Sequence, residues 1–400
     1  MEALPARSLG HIVWPFAIGE TIVWAAFYYS FPALLPEWER DLGFSKTELS
    51  AAFTSALILS AVLAPYTGRL IDRGHAMRCF TGCTLLGAAL LALLSQITEF
   101  WQFFMIWVGI GIAMSGALYE TCFAILTRVT GEHSKKAITR VTLVAGLAGT
   151  VSFPAAHTLT NLLDWRSAIL IFAAVVVTVA LPLIWYGCRS AGNRLSATID
   201  TGPLQARPAK NILKSGVFWL LAISFTAIAI DHGMLLTHML PIMDDRGVTT
   251  EMAVFAASMI GPMQVTGRIV MIMAERKVSI YGIAIGCYLS IATAAGVLLG
   301  ANGMLPLIFT FVILQGAGYG VTSIVRPVIT AELLGRENFG VISGMLAVPF
   351  MLGYAAAPTV AAVIWSFGGY DMVITLAMVI SGIGLIALLT ARRAAGSLES

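Results

Sequence analysis

The most informative stretch of this chain reads Gly68-Arg69-Leu70-Ile71-Asp72-Arg73-Gly74-His75-Ala76-Met77-Arg78 and lies between its second and third apolar segments. A partial echo, Thr266-Gly267-Arg268-Ile269-Val270, follows about half a chain later. Charged residues this dense, between segments that could cross a membrane, indicate a moving joint in a duplicated membrane protein.

The composition also indicates a membrane protein. Of 400 residues, 58% are hydrophobic and 11% are charged, which a soluble domain could not accommodate. The net charge of +3 is scattered, so we expect no nucleic-acid partner. The five cysteines form no C-x-x-C pair and no catalytic or phosphate-binding motif is present. We therefore expect free thiols, no metal, no cofactor and no enzyme.

Twelve apolar stretches are long enough to cross a bilayer of ~30 Å as helices. They lie near residues 10–36, 48–70, 79–97, 101–128, 138–161, 165–187, 216–241, 251–273, 279–300, 304–330, 339–366 and 371–391. We number them spans one to twelve. The predicted fold is all-α and integral to the membrane, with twelve transmembrane helices in two pseudo-symmetric six-helix bundles.

The longest polar break, residues 188–214, is predicted to be a linker between bundles at 1–187 and 215–400. If the spans alternate sides, one side receives most of the Lys and Arg. The other side receives only Arg40, Lys46, Arg166 and Arg246. By the positive-inside rule, both termini and the linker are cytoplasmic in the inner (plasma) membrane.

Repeated glycines support the duplication, because Gly109 and Gly111 in span four match Gly316 and Gly318 in span ten. With the spans and the linker, they resemble the major facilitator superfamily of transporters over essentially the whole chain. The stretch after span two is similar to the family motif G-x-x-x-D-R-x-G-x-R-R, although its second glycine comes one residue early. The resemblance implies that the motif acid caps a facing helix end and holds the cytoplasmic side shut. We assign to this cytoplasmic latch Gly68, Asp72, Arg73, Arg78, Gly267 and Arg268.

Two regions are similar to the monocarboxylate-transporter branch of that superfamily, namely Phe31-Pro32 in span one and Ser134-Lys135-Lys136 before span five. The chain departs from the branch at Ala33, where a cation is expected, and at Met263 and Gln264, where an arginine is expected. The substrate class of the branch is therefore not carried over without further support.

Ionisable side chains within the spans are the candidate functional residues, because each costs ~2.5 to 3.5 kcal/mol at mid-bilayer. They are Glu20, Glu120, Asp231, His232 and Arg326, on spans one, four, seven and ten. In the family that this chain resembles, these four spans line the cavity.

The first hypothesis concerns substrate binding. The glycine match places Tyr119 opposite Arg326 and Glu120 beside it, so the two charges could meet across the cavity. Arg326 would bind an anionic group and exchange partners with Glu120, and a fixed structural ion pair is the alternative. Uncharged candidates for substrate contact, each of which could instead be a packing residue, are Tyr28, Tyr29, Tyr119, Gln315 and Tyr319.

The second hypothesis is proton coupling by Glu20, Asp231 and His232. Asp231 and His232 point about 100° apart on one helix, so one can line a cavity while the other contacts a neighbouring helix. Carboxylates and imidazoles can both take up and release protons. For His232, a packing role is an equally good interpretation.

These patterns predict a monomeric, alternating-access secondary active transporter of a small organic solute in the lipid bilayer. Proton symport of organic carboxylate anions is the leading interpretation. A proton-driven exporter of cationic or amphipathic compounds is the rival, favoured by three acids against one base within the spans. A sensor without transport on the same fold is the third possibility.

Overall fold

The computed structural model describes residues 10–130, 134–192, 213–334 and 339–396, which are almost entirely helical. The chain divides into two compact units, Met1–Asp200 and Thr201–Ser400. Eleven helical stretches of the described residues are long and apolar enough to cross a membrane. The last of them contains non-helical backbone at Gly368 and Gly369, so it comprises two spans. All twelve predicted spans are therefore helical, as expected.

The first unit contains spans one to six. Their bounds are Gly10–Leu42, Lys46–Leu70, Ala76–Leu94, Phe100–Ala117 with Tyr119–Thr130, Ser134–Ala145 with Ala148–Leu162, and Trp165–Ala191. Polar caps fix two of the starts. Ser45 forms a capping box with Glu48 before span two, and the Asp164 carboxylate accepts the backbone N–H of Ser167 at 2.6 Å before span six.

The second unit contains spans seven to twelve. Their bounds are Gly216–Thr237, Thr250–Ala274, Ile280–Leu299, Leu305–Leu334 and Phe339–Gly396, with Met239–Asp245 as a short helix after span seven. The predicted limits of the linker stay a prediction, because residues 193–212 lie outside the described ranges.

In each unit an arginine side chain binds backbone carbonyl oxygens at the C-terminal end of the third span; Arg166 is half-buried and Arg246 is buried. Arg166 donates to the carbonyl oxygens of Ser95 and Ile97, at 3.0 Å each. Arg246 donates to the carbonyl oxygen of Leu299 at 3.1 Å and pairs with Asp371. Two of the arginines predicted to lie on the sparsely charged side therefore satisfy helix ends.

Close helix contact at glycine is common to both units. A Cβ at Gly111 of span four would overlap the backbone of Ala56 in span two, and a Cβ at Gly320 of span ten would overlap the backbone of Gln264 in span eight. Such contacts need glycine because the backbones approach closely. The two units thus share one helix-packing scheme.

The same scheme sets the register between the units. Gly109 packs on span three and Gly318 packs on span nine, so these two glycines correspond. The pairing made from the sequence is thus two residues out of register. Ala117, not Tyr119, then corresponds to Arg326.

Candidate functional site

Asp231 lies at the centre of a buried polar network in the second unit. Its carboxylate accepts hydrogen bonds from the Gln315 side-chain amide at 2.8 Å and from the Ser381 hydroxyl at 3.0 Å. Both donors are neutral, and the carboxylate has no cationic partner among the described residues. A negative charge here is stabilised by hydrogen bonds alone, so a proton is the simplest way to neutralise it.

His232, the next residue, points elsewhere. Its ring stacks on Tyr319 with a centroid distance of 3.4 Å and an interplanar angle of 8°. The Nδ1 atom of His232 is buried and has no hydrogen-bond partner among the residues that the structure describes. The two neighbours on span seven therefore face different partners, as their 100° separation predicts.

Arg326 is held by aromatic rings. Its guanidinium carbon lies 3.6 Å from the Phe350 ring centroid and 5.5 Å from that of Phe225. Within the described part of the chain Arg326 makes no ion pair, and its Nε atom is buried without a hydrogen-bond partner. Contact with ring faces stabilises a cation but leaves its N–H donors available at the edge of the guanidinium plane.

Pairing of Arg326 with Glu120 stays a prediction. The backbone of Glu120 belongs to the helix Tyr119–Thr130, but its side chain lies outside what the structure describes.

The candidate residues of the first unit form an aromatic cluster. Trp24 lies 5.4 Å from Tyr28 and 4.7 Å from Tyr119, centroid to centroid, and Tyr28 lies 5.0 Å from Tyr29. The indole Nε1 of Trp24 is buried, and none of the described residues offers it a hydrogen-bond partner. A ligand or water that enters the cluster could accept a hydrogen bond from this N–H.

Irregular backbone positions this cluster. Span one contains a π-helical turn, Ala25–Tyr29, which carries both tyrosines, and the Ser152 hydroxyl donates to the Ala25 carbonyl oxygen at 2.9 Å. Span four is interrupted at Leu118, whose backbone is extended, directly before Tyr119. Such irregular turns are frequent at functional sites in membrane helices.

Glu20 lies one helical turn before Trp24 on span one. It is fully buried and close enough to Cys122, in the second helix of span four, to interact electrostatically. Burial of an acid on span one agrees with a functional role. Glu20 belongs to the first unit, whereas Asp231 belongs to the second.

The first part of the predicted latch lies where span two turns into span three. Gly74 has φ 85° and ψ 8°, a left-handed conformation that favours glycine, so its early position in the motif fits this turn. Arg73 and Arg78 are exposed. No described heavy atom lies within 4 Å of a Cβ built at Gly68. The side chain of Asp72 lies outside the described residues, so its capping role stays a prediction.

Gly267 and Arg268 have a different setting. They lie inside span eight, where a Cβ at Gly267 would overlap the backbone of Ala317. Arg268 Nε donates to the Gly320 carbonyl oxygen at 2.9 Å. Both residues therefore join spans eight and ten within the second unit. The sequence echo does not reproduce the joint between spans two and three.

Several site residues escaped the sequence analysis. Ser381, Phe225 and Phe350 contact Asp231 or Arg326 but carry no charge, and nothing in their local sequence distinguishes them from packing residues. Trp24 gave a usable signal, since a mid-span tryptophan is far from the interface where its indole N–H would be hydrated.

Comparison with known proteins agrees with this architecture. An MFS-type efflux pump of Mycolicibacterium smegmatis is 24% identical over 253 residues, 61% of this chain and 59% of the pump. The chain thus matches about three fifths of the length of that curated relative. A solved bacterial homologue of the human lysosomal transporter Spinster, inward-facing and occupied, has a TM-score of 0.71 at 14% identity, with 99% of this chain and 96% of that chain covered.

The family model described as Major Facilitator Superfamily matches residues 16–301. This match covers more than half of the chain, and the helical fold agrees with it. The protein therefore belongs to the Major Facilitator Superfamily.

Proposed function

We propose that this protein is an alternating-access secondary transporter of small organic carboxylate anions, coupled to protons. The observation that carries the proposal is Arg326, a cation on span ten whose hydrogen-bond donors have no protein acceptor among the described residues. Kinship with the monocarboxylate-transporter branch is part of the same proposal.

The setting of Arg326 suits an anion that arrives from solution. A charge inside a spanning helix is costly unless it is paired, and Phe350 and Phe225 compensate only part of that cost. A carboxylate can accept two parallel hydrogen bonds from one guanidinium. A bound carboxylate substrate would thus accept hydrogen bonds from the Arg326 guanidinium, whose donors have no acceptor among the described residues.

Proton coupling is assigned to Asp231, with Glu20 and His232 as further candidates. The carboxylate of Asp231 is buried, and its hydrogen-bond partners in the described ranges are the neutral groups of Gln315 and Ser381. Gain and loss of a proton there changes the charge of the second unit by one without breaking an ion pair. Such a site can link proton movement to the conformational cycle.

The rival function is export of cationic or amphipathic compounds. It is favoured by the similarity to an MFS-type efflux pump and by the aromatic cluster around Trp24, because aromatic faces attract cations. In that case Glu20 would be the counter-charge and Arg326 would be dispensable.

Transport by Arg326 variants distinguishes the two functions. Counterflow of a labelled carboxylate in proteoliposomes should fall at least tenfold in Arg326→Ala, and less in Arg326→Lys, which keeps the charge but loses the fork of donors. Arg392 is a matched control, since it also lies over a ring, that of Tyr281, at 4.6 Å. Arg392→Ala should transport normally. Wild-type counterflow in both Arg326 variants would overturn the anion assignment.

The remaining parts of the proposal concern placement. We place the protein in the cytoplasmic membrane with both termini inside, following the distribution of Lys and Arg, and propose that it acts as a monomer. A fluorescent protein fused to the C-terminus should fluoresce, and alkaline phosphatase fused there should be inactive. The opposite pattern would contradict this orientation.

A further inference from the structure

A groove on the outer surface of the first unit lies between spans three and six. It is a cavity of about 450 Å³, lined by Thr81, Gly82, Leu85, Leu181, Pro182 and Trp185. Leu85 is 51% exposed and Trp185 is 42% exposed, so the groove opens outward. Its volume lies in the range of roughly 300 to 1,000 Å³ that is usual for small-molecule sites.

Each wall of the groove extends by one helical turn beyond the lining residues, and an arginine lies at each extension. Spans three and six run in opposite directions, so the start of span three and the end of span six meet at the same end. Residues four apart lie on one face of a helix. Arg78 precedes Gly82 by four residues and Arg189 follows Trp185 by four, so both arginines extend the two walls of the groove by one turn.

Arg78 and Arg189 place two positive charges at one end of the groove. Both side chains are exposed, and the Arg189 guanidinium carbon lies 5.1 Å from the Trp185 ring centroid. Neither arginine has an acidic partner in the described part of the chain. The helix Ala76–Leu94 has no acid in its first turn, and neither has Leu181–Ala191. Two unpaired positive charges therefore border an apolar groove.

We propose that this groove binds an anionic phospholipid, with an acyl chain against Gly82 and Leu181 and the headgroup phosphate held by Arg78 and Arg189. An apolar trough open to the bilayer fits a lipid chain, and basic sites between transmembrane helices on the cytoplasmic side recognise anionic headgroups. The Lys and Arg distribution predicts that this end is cytoplasmic. Gly82 keeps the floor of the groove open, because no described heavy atom lies within 4 Å of a Cβ built there.

Native mass spectrometry of the purified full chain with dioleoyl phosphatidylglycerol, and separately with dioleoyl phosphatidylcholine, tests this assignment. We expect one phosphatidylglycerol to be retained in preference to phosphatidylcholine. Both arginines attract the anionic headgroup. The double variant Arg78→Gln and Arg189→Gln should therefore weaken phosphatidylglycerol binding about 30-fold. Gly82→Leu should block the groove and abolish the preference while both charges remain.

Two matched controls separate a site from general attraction. Arg276→Gln removes an exposed cation elsewhere, and Gly286→Leu fills open space at another exposed glycine; both should bind as the wild type does. Equal losses in the controls and the groove variants would overturn the proposal. Equal retention of both lipids, a second copy of the chain seated on the groove, or an unchanged preference in Gly82→Leu would overturn it as well.

Discussion

In the first unit the candidate site consists of aromatic rings around an irregular turn of span one, whereas in the second unit it consists of charged and hydrogen-bonded groups. Trp24, Tyr28 and Tyr119 offer ring faces, and the Trp24 N–H has no partner in the part of the chain that the structure describes. Asp231 and Arg326 offer an acid and a cation on neighbouring spans. The glycine contacts that hold the helices together are nevertheless equivalent. Duplication has preserved the scaffold while the chemistry on it has diverged.

The largest expected effect tests the shared scaffold. Gly111→Ala and Gly320→Ala should each lower stability by about 1 to 3 kcal/mol, because the new Cβ would overlap the backbone of the neighbouring span. Thermal unfolding in detergent would measure this. Gly382→Ala, where a Cβ meets open space, should be neutral. A large loss in only one of the two variants would show that the packing is not equivalent.

A second prediction concerns the polar side of the comparison. Asp231→Asn keeps the hydrogen bond from Ser381 but removes the titratable group. A pH gradient of one unit supports about tenfold accumulation for one coupled proton, and this accumulation should disappear in Asp231→Asn while counterflow persists. Ser381→Ala should retain coupling. If Asp231→Asn still accumulates substrate with the pH gradient, the coupling residue lies elsewhere.

A third prediction tests the aromatic side. Trp24→Phe removes an indole N–H that no described residue accepts, so it should raise the KM about fivefold with little change in stability. Trp107 is a matched control, since its buried Nε1 also lacks a partner among the described residues but its ring lies in the core. Trp107→Phe should lower stability without raising the KM. The reverse result would move the binding site away from Trp24.

The smallest effect concerns the helix caps. Asp164 caps span six in the first unit, and the backbone N–H of Ser167 holds the pKa of Asp164 below its usual value. Its contribution is complete above the pKa of the unfolded chain and is lost as the pH falls through the lower folded value. Asp164→Ala should cost about 0.5 to 1 kcal/mol at pH 7 and less in acid.

The hydroxyl of Ser279 accepts the Gly282 N–H at 3.2 Å before span nine. Ser279→Ala should therefore cost a similar amount at every pH. Unfolding measured from pH 7 down to pH 3 would compare the two caps, and parallel curves would contradict the electrostatic contribution of Asp164.

The sequence predicted the spans well because hydropathy over twenty residues reports burial in lipid. It even anticipated the break between spans eleven and twelve, where Gly368 and Gly369 interrupt the helix. The interruption at Leu118 was not foreseen, since apolar residues surround it and hydropathy is insensitive to backbone geometry. Sequence position is equally uninformative for Trp38. A tryptophan near a predicted span end usually lies at the membrane interface, but Trp38 is fully buried among aromatic rings.

The candidate site was predictable only as a set of charges. Asp231 and Arg326 were identifiable because an ionised side chain inside a span costs free energy and is rare there. Their partners were not identifiable, because Ser381 is 150 residues from Asp231 and has no feature of its own. Only the folded structure shows that Ser381, a residue without charge, is a hydrogen-bond partner of Asp231.

The turn at Gly74 has a mechanical consequence. Span two passes into span three through a π-helical turn and a single left-handed residue, so no loop separates the two helices. We expect a tilt of span two to tilt span three as well, whereas a longer loop would let the two helices move independently. Residues inserted beside Gly74 would thus leave both helices intact and remove only their common motion.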